Sequence, residues 1–295
     1  MTAGSAVAIT GVGIVSSLGI GAKSFCNDLM NGISGICPNA HGVTQVWAPF
    51  AEFDFSTEIK RLNLSEDCQN KVIRTGFRAS PPIQATILAV AEAWSQAELS
   101  RASPEKIGLI VAGSNVNQLD VFDAYQRSFQ QRQVRPSYGA QFMDSHYVGS
   151  ISEAFSINGE GYTLGGASAS SGVALLHGYR ALHCSEMEAM VVVGAPMMLS
   201  QVELNGFVNI GAHFNAKVPE VHAFACRPFD VEAAGFVYGQ GTGVIIFQRE
   251  QDPAHRTMAR MLGGSMCLDG NQSTNPSVDG EVRVMSAALE NAGII

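Results

Sequence analysis

"TLGGASASSGVALLHGYRALHCSEMEAMVVVGA", residues Thr163 to Ala195, holds a tight Gly-rich turn, an apolar helix and a short, almost wholly apolar strand. Small residues on both sides of Ser168 let the backbone turn sharply and let another molecule come close. The helix that follows, from about Ser168 to Cys184, aims its first N–H groups and the positive end of its dipole back at that turn. The arrangement is that of a chain presenting a nucleophile, one residue short of a G-x-S-x-G elbow. A Gly/Ser helix start without any chemistry explains the same composition, so spacing alone leaves both readings open.

The same alternation recurs on either side. "VAITGVGIV" (Val7 to Val15), "IGLIVAGS" (Ile107 to Ser114) and "GTGVIIFQ" (Gly241 to Gln248) read as buried strands. "PPIQATILAVAEAWSQAEL" (Pro81 to Leu99) has apolar residues at helical spacing and prolines in its first turn. "SFCNDLMNGISGI" reads as a short helix capped near Ser24 and closed by Gly32, and the stretch from Asn115 to Arg135 as a partly exposed helix. Residues 38–80 read as an irregular polar excursion over the surface. After Arg249, "EQDPAHR" reads as a connector, followed by a strand in "MARMLGGSMCLDG" and a helix in "VDGEVRVMSAALENAGI". Short apolar strands alternating with helices predict a layered α/β fold around a buried sheet.

Bulk properties narrow the function. The chain has 295 residues, 46% hydrophobic and 15% charged, enough for one large domain or two smaller ones. It has no run of about 18 uncharged apolar residues, so no membrane span is expected, and its start lacks the basic region of a secretory signal. A net charge of −8 argues against nucleic acid as a partner. Six scattered cysteines, with no CxxC pair and no histidine at ligand spacing, argue against a disulfide framework or a metal site and for a reducing cytoplasm.

Three further features have competing readings. "GVGIVSSLG" departs from a dinucleotide loop at Ser16, and its glycines serve close backbone packing instead. The histidines complete no triad by sequence logic: His177 and His183 lie along the helix away from its N-terminus, and His146, His213 and His222 are not placed. Lys60, Arg61, Lys71, Arg74 and Arg78 form the basic stretch of an acidic chain, either a solvated surface or a docking patch for an anionic partner.

Together these pieces resemble the β-ketoacyl-acyl-carrier-protein synthases, the ketosynthase branch of the thiolase-like superfamily. The opening strand and turn are similar to that family's first. "GGASASSGVALLHGYRALHCSEMEAMVVVGA" resembles its nucleophile segment, D-T-A-C-S-S-S followed by helix and strand. "RPFDVEAAGFVYGQGTGVIIFQ" and "NQSTNPSVDGEVRVMSAALENAGI" resemble two later stretches, in the right order. The resemblance implies a five-layered α-β-α-β-α fold. Residues 1–250 form the half that carries the elbow, 251–295 begin the second half, and most of that second half is absent. It also implies dimerisation, with itself or with another ketosynthase-like subunit, through the strand near "EAMVVVGA". An acyl carrier protein is the implied partner. No cofactor is implied beyond the phosphopantetheine that carries the substrate.

The departures from the family pattern bear on function. The nucleophilic cysteine falls on Ser168, the Asp that opens the motif on Gly165, and a glutamate of the later glycine stretch on Gln240. The family's two histidine motifs would follow Ile295, so no residue here takes their role. A thiol at a helix N-terminus ionises near neutral pH, whereas a serine hydroxyl without a base attacks a thioester poorly. Decarboxylation of a malonyl thioester needs no attacker, only donors that hold the carbonyl as it becomes an enolate, in a dry pocket. The pattern resembles decarboxylating ketosynthases of polyketide β-branching cassettes, which turn malonyl carrier protein into acetyl carrier protein. A non-catalytic chain-length-factor type of subunit and a Ser168 acyltransferase are the alternatives. Carried over by resemblance, Ser168 is the catalytic position, Phe207 and Thr274 line the substrate site, and Lys71, Arg74 and Arg78 dock the carrier protein.

Overall fold

A computed structural model describes residues 6–39, 42, 44–99, 102–249, 257–271 and 275–295. Nine strands fall in it: β1 (Val7–Ser16), β2 (Gly19–Ile20), β3 (Cys37–Pro38), β4 (Val46–Trp47), β5 (Ile107–Ala112), β6 (Gly161–Leu164), β7 (Ala189–Gly194), β8 (Gly241–Arg249) and β9 (Ala259–Met261). The helices are α1 (Ala22–Met30), α2 (Phe55–Arg61), α3 (Glu66–Gly76), α4 (Pro81–Ala97), α5 (Gln118–Gln131), α6 (Tyr138–Gln141), α7 (Ser145–Phe155), α8 (Ser170–Cys184), α9 (Gln201–Asn209) and α10 (Val278–Asn291).

Seven strands make one mixed sheet in the order β2-β1-β8-β7-β5-β6, with β9 also on β1. β5 runs parallel to both β6 and β7, while β8 is antiparallel to both β7 and β1. Alternate side chains enter opposite layers. Val111, Val191, Val193 and Val244 pack under α2, α3, α4 and α7. Ile110, Met190, Val192 and Phe247 pack under α8. The result is helix–sheet–helix, three of the five layers that the resemblance implies.

α4 is apolar almost all round because it lies between the sheet and other helices. It also completes the sheet. β1 pairs with β9 at Val7 to Ile9 and with β2 at Val15 and Ser16, which leaves its outer edge open between them. Side chains of α4 fill that gap. The Glu92 carboxylate accepts the Ile14 N–H at 2.9 Å and the Ala22 N–H at 2.7 Å, and the Gln96 amide bonds both backbone groups of Val12, at 3.1 and 2.9 Å. The close approach needs glycine: a Cβ on Gly13 would lie 1.8 Å from the Ala89 carbonyl oxygen, and one on Gly11 2.2 Å from that of Ala93. The "GVG" stretch is therefore a packing surface.

Some expectations need correction. Residues 38–80 are not an irregular excursion: α2 and α3 bury Phe55, Ile59 and Val72 in the main core. Asp54 caps α2 through the Thr57 N–H at 2.7 Å, and Ser65 caps α3 through the Cys68 N–H. Each short helix buries a narrow stripe, so polar residues dominate its composition. α1 begins after Gly21, not at Ser24. β7 is not a dimer strand, since β5 and β8 occupy both its edges; the free edge at that end of the sheet is β6. The connector expected at 250–256 lies outside the described residues. Beyond it, β9 joins β1, and the Tyr179 hydroxyl donates to the Leu262 carbonyl at 3.2 Å. None of the described helices is long and apolar enough to cross a membrane.

Candidate active site

The parallel strands β5, β6 and β7 end together, and loops outside the carboxyl ends of parallel strands are where such sheets bind ligands. Gly113 N–H bonds the Leu164 carbonyl at 2.9 Å and Ala195 N–H bonds that of Ala112 at 3.0 Å, so the three exits are tied side by side. The turn with Ser168 leaves β6 there. Gly165 packs against Ser114, whose Oγ would have to rotate away from a Cβ placed 1.7 Å from it.

Ala167 takes φ 48°, a left-handed conformation that costs a residue with a Cβ. Ala167–Ala169 form one tight turn that leads directly into α8. Ser170, buried, holds it: its Oγ accepts the Gly166 N–H at 2.9 Å and donates to the Ala167 carbonyl at 2.7 Å. Sequence reasoning missed Ser170, although a serine two positions after the tip, able to bond back to the turn, was its signal. Ser168 stands at the apex, exposed. Among the described residues no histidine or carboxylate hydrogen-bonds its hydroxyl, and its N–H has no acceptor.

An apolar cleft of about 390 Å³ runs beside the first turns of α8, between Ser171 and Leu175 on one side and Gly13, Gly194, Ala195 and Gly243 on the other. A polar cavity of about 500 Å³ is lined by Asn115, Asn117, Asp144 and Thr163. Asp144 shapes it by accepting the N–H groups of Asn115 and Val116 at 2.8 and 2.9 Å. Ser168 lines neither of these two cavities and is exposed to solvent.

The remaining expected site residues are dispersed. Phe207, on α9, is half-buried and meets Phe236 edge-on at 5.4 Å, in a small cluster with Leu199, Leu204 and Tyr238. The fully buried His213 meets the same Phe236 edge-on at 5.3 Å; its Nε2 accepts the Tyr238 N–H at 3.3 Å and its Nδ1 meets the Phe214 carbonyl at 3.1 Å. Both ring nitrogens are therefore engaged in holding the fold. Gln240 accepts the Phe50 N–H at 3.0 Å, tying the loop after β4 to the start of β8. Thr274 lies outside the described residues.

Lys71, Arg74 and Arg78 follow one another along and just past α3. Lys71 donates to Ser156 Oγ, and Arg78 pairs with Glu153 at 3.1 Å with both side chains largely exposed. Arg74 is exposed and makes no ion pair among the described residues. Arg61 pairs with Glu58 at 2.6 Å. The structure thus leaves positive charge at Arg74 and Lys71 and partly neutralises the rest. No cluster of metal-ligating side chains occurs among the described residues.

The family model described as "Beta-ketoacyl synthase, N-terminal domain" matches residues 4–253. The chain is 34% identical over 294 residues to the polyketide biosynthesis malonyl-ACP decarboxylase PksF of Bacillus subtilis (strain 168), spanning 98% of this chain and 69% of that protein. Two solved structures share the fold: a β-ketoacyl synthase from Burkholderia phymatum STM815, with a TM-score of 0.78 at 20% identity over 98% of this chain and 71% of that one, and the ishigamide ketosynthase/chain length factor, with a TM-score of 0.79 at 20% identity over 98% and 70%.

Proposed function

This chain belongs to the β-ketoacyl synthase family, and from that premise we propose that it decarboxylates malonyl-acyl-carrier-protein to acetyl-acyl-carrier-protein in polyketide biosynthesis, without condensation. One observation carries the reading: the apex of a well-formed elbow holds Ser168, with no base on its hydroxyl among the described residues. The similarity to a relative named as a malonyl-ACP decarboxylase supports it.

The chemistry assigned to the elbow is donation, not attack. The thioester oxygen sits at the Ser168 N–H and the positive end of α8, where charge gathers as the bond to the carboxylate breaks. Carbon dioxide leaves, the electron pair moves into the enolate, and a proton taken up at carbon gives the acetyl thioester. The hydroxyl stays protonated and forms no acyl-enzyme. Ser168 is exposed, so exclusion of water falls to surfaces that meet the elbow on assembly, the carrier protein or a second subunit.

In this reading the substrate arrives on the phosphopantetheine of an acyl carrier protein docked at Lys71, Arg74 and Arg78, Phe207 and Thr274 line its path, and the protein works as a dimer in the cytoplasm. The six cysteines are all free thiols, which suits a reducing compartment. Residues 1–250 are taken as the half that carries the elbow and 251–295 as the opening of the second.

The test is incubation of the protein with malonyl carrier protein, followed by intact mass spectrometry of both. Acetyl carrier protein and released carbon dioxide, with no mass added to the enzyme, are expected. Absence of carbon dioxide release, alone and with a ketosynthase partner, rejects decarboxylation; turnover of a partner that depends on this subunit would instead favour the chain-length-factor reading. A stable acyl adduct on Ser168 would favour the acyltransferase.

A further inference from the structure

Away from the elbow, three arginines from separate parts of the chain line one cavity of about 320 Å³. Arg78 comes from the turn between α3 and α4, Arg127 from α5, and Arg135 from the segment between α5 and α6. Asp120, Tyr138 and His146 are among the other polar residues of the lining, with Ser80, Gln133 and Gln141. The buried Ala124 on α5 carries only a methyl group at this wall.

The charge balance is unusual for a chain of net −8. Of the three guanidinium groups, Arg78 alone has an ion pair among the described residues, with Glu153 at 3.1 Å. Arg127 and Arg135 have none, and Asp120 is the one carboxylate in the lining. Burial holds His146 below its usual range, with Asp120 acting against that, so near neutral pH the imidazole is a neutral donor. Planar guanidinium forks match two oxygens of a tetrahedral oxyanion at once. The volume exceeds one phosphate and stands at the lower end of ligand pockets.

We propose that the cavity between the α3–α4 turn, α5 and α6 is a binding site for a phosphate group, gripped by Arg127 and Arg135 with Arg78 at the rim. It takes a phosphomonoester or phosphodiester bearing a short organic arm. The ligand is either a free small phosphate or the phosphate of a carrier-borne arm, which share this chemistry. The site shares Arg78 with the proposed carrier-docking face but excludes Ser168, Lys71 and Arg74, so phosphate binding can be tested apart from decarboxylation.

Calorimetric titration of the full chain at matched ionic strength tests this with inorganic phosphate, pantetheine 4′-phosphate and pantetheine. Saturable binding of both phosphates and none of pantetheine is expected. Tighter binding of pantetheine 4′-phosphate than of inorganic phosphate identifies the carrier-borne arm, and equal binding a free phosphate. The Arg127→Ala/Arg135→Ala double variant should weaken binding at least about tenfold, with Arg127→Lys intermediate because the charge remains but the fork is lost. An unchanged thermal midpoint shows that the variant is folded. No saturable phosphate binding by the unmodified chain, or binding that the double variant leaves intact, overturns the site. Charge reversal at Lys71 and Arg74, which lie outside the lining, separates this outcome from failure of carrier docking.

Discussion

Ser170 and Ala167 are locked together across the elbow: the Ser170 hydroxyl donates to the Ala167 carbonyl at 2.7 Å while accepting the Gly166 N–H at 2.9 Å. One side chain thereby bridges both arms of a turn that Ala167 enters at φ 48°. The elbow is shaped by the residue that starts α8, not by the residue at its tip.

Ser170→Ala removes both bonds. A loss of about 1–2 kcal/mol in stability is expected, and a fall of about tenfold or more in kcat as the Ser168 N–H swings off line. Ser170→Thr, which keeps the hydroxyl, should restore most of the rate. A Ser170→Ala enzyme with unchanged kcat would remove the positioning role. Steady-state decarboxylation and thermal melts measure the two effects.

Ser168→Ala should keep most of the decarboxylase rate, within about threefold, because the amide stays and the hydroxyl attacks nothing. Ser168→Cys should add a thiol that the end of α8 helps ionise, seen as alkylation by iodoacetamide at neutral pH. A hundredfold loss in Ser168→Ala would assign the hydroxyl a direct role.

Lys71→Glu and Arg74→Glu should each raise the KM for the carrier protein about five- to tenfold with little change in kcat, and the effect should shrink as salt rises. Arg78→Glu should do less, because Glu153 already neutralises Arg78. Kinetics at two ionic strengths decide; equal KM values at low salt would move the docking face elsewhere.

Gly13→Ala places a methyl 1.8 Å from the Ala89 carbonyl oxygen, with backbone on both sides. A destabilisation of about 3 kcal/mol or more is expected. Gly149→Ala, within α7 and with nothing within 4 Å of its new Cβ, should stabilise by about 0.5–1 kcal/mol. Urea melts of both variants compare the two.

Burial raises the Glu92 carboxyl above its usual range, although the Ile14 and Ala22 N–H groups pull it back. The folded state therefore holds this proton more tightly than the unfolded chain does. Glu92 stabilises most below its ordinary carboxylate pKa, and this contribution is lost as pH rises through the raised value. Glu92→Gln has no such titration and sets an NH₂ group against one of the two backbone N–H groups. Its deficit in thermal midpoint relative to the unmodified protein should be larger near pH 4 than near pH 8. A constant deficit would mean that the carboxyl does not titrate differently on folding.

Legibility in the sequence followed the range of the interactions. β1, β5, β7, β8 and α4 could be read because each is apolar enough to announce its burial. The turn at Ser168 and the helix after it could be read because the small residues and the periodicity lie within one short segment. α2 and α3 escaped because Phe55, Ile59 and Val72 are few among polar neighbours, and their value lies in a core built by residues far along the chain. β6 escaped because Gly161–Leu164 is short and only partly buried.

The candidate site divides in the same way. From the chain alone came the elbow and the basic stretch through α3, and from its resemblance to the ketosynthases the exchange of sulfur for oxygen at the elbow's tip. Only tertiary structure put Arg127 and Arg135 beside Arg78, set Glu92 and Gln96 where β1 lacks a strand, and placed β7 inside the sheet. The physical reason is separation. Helix and turn preferences act over a few residues, so local sequence displays them. The partners of a charge, a strand edge or an unpaired backbone group are chosen by how distant segments pack, and no local pattern records that choice.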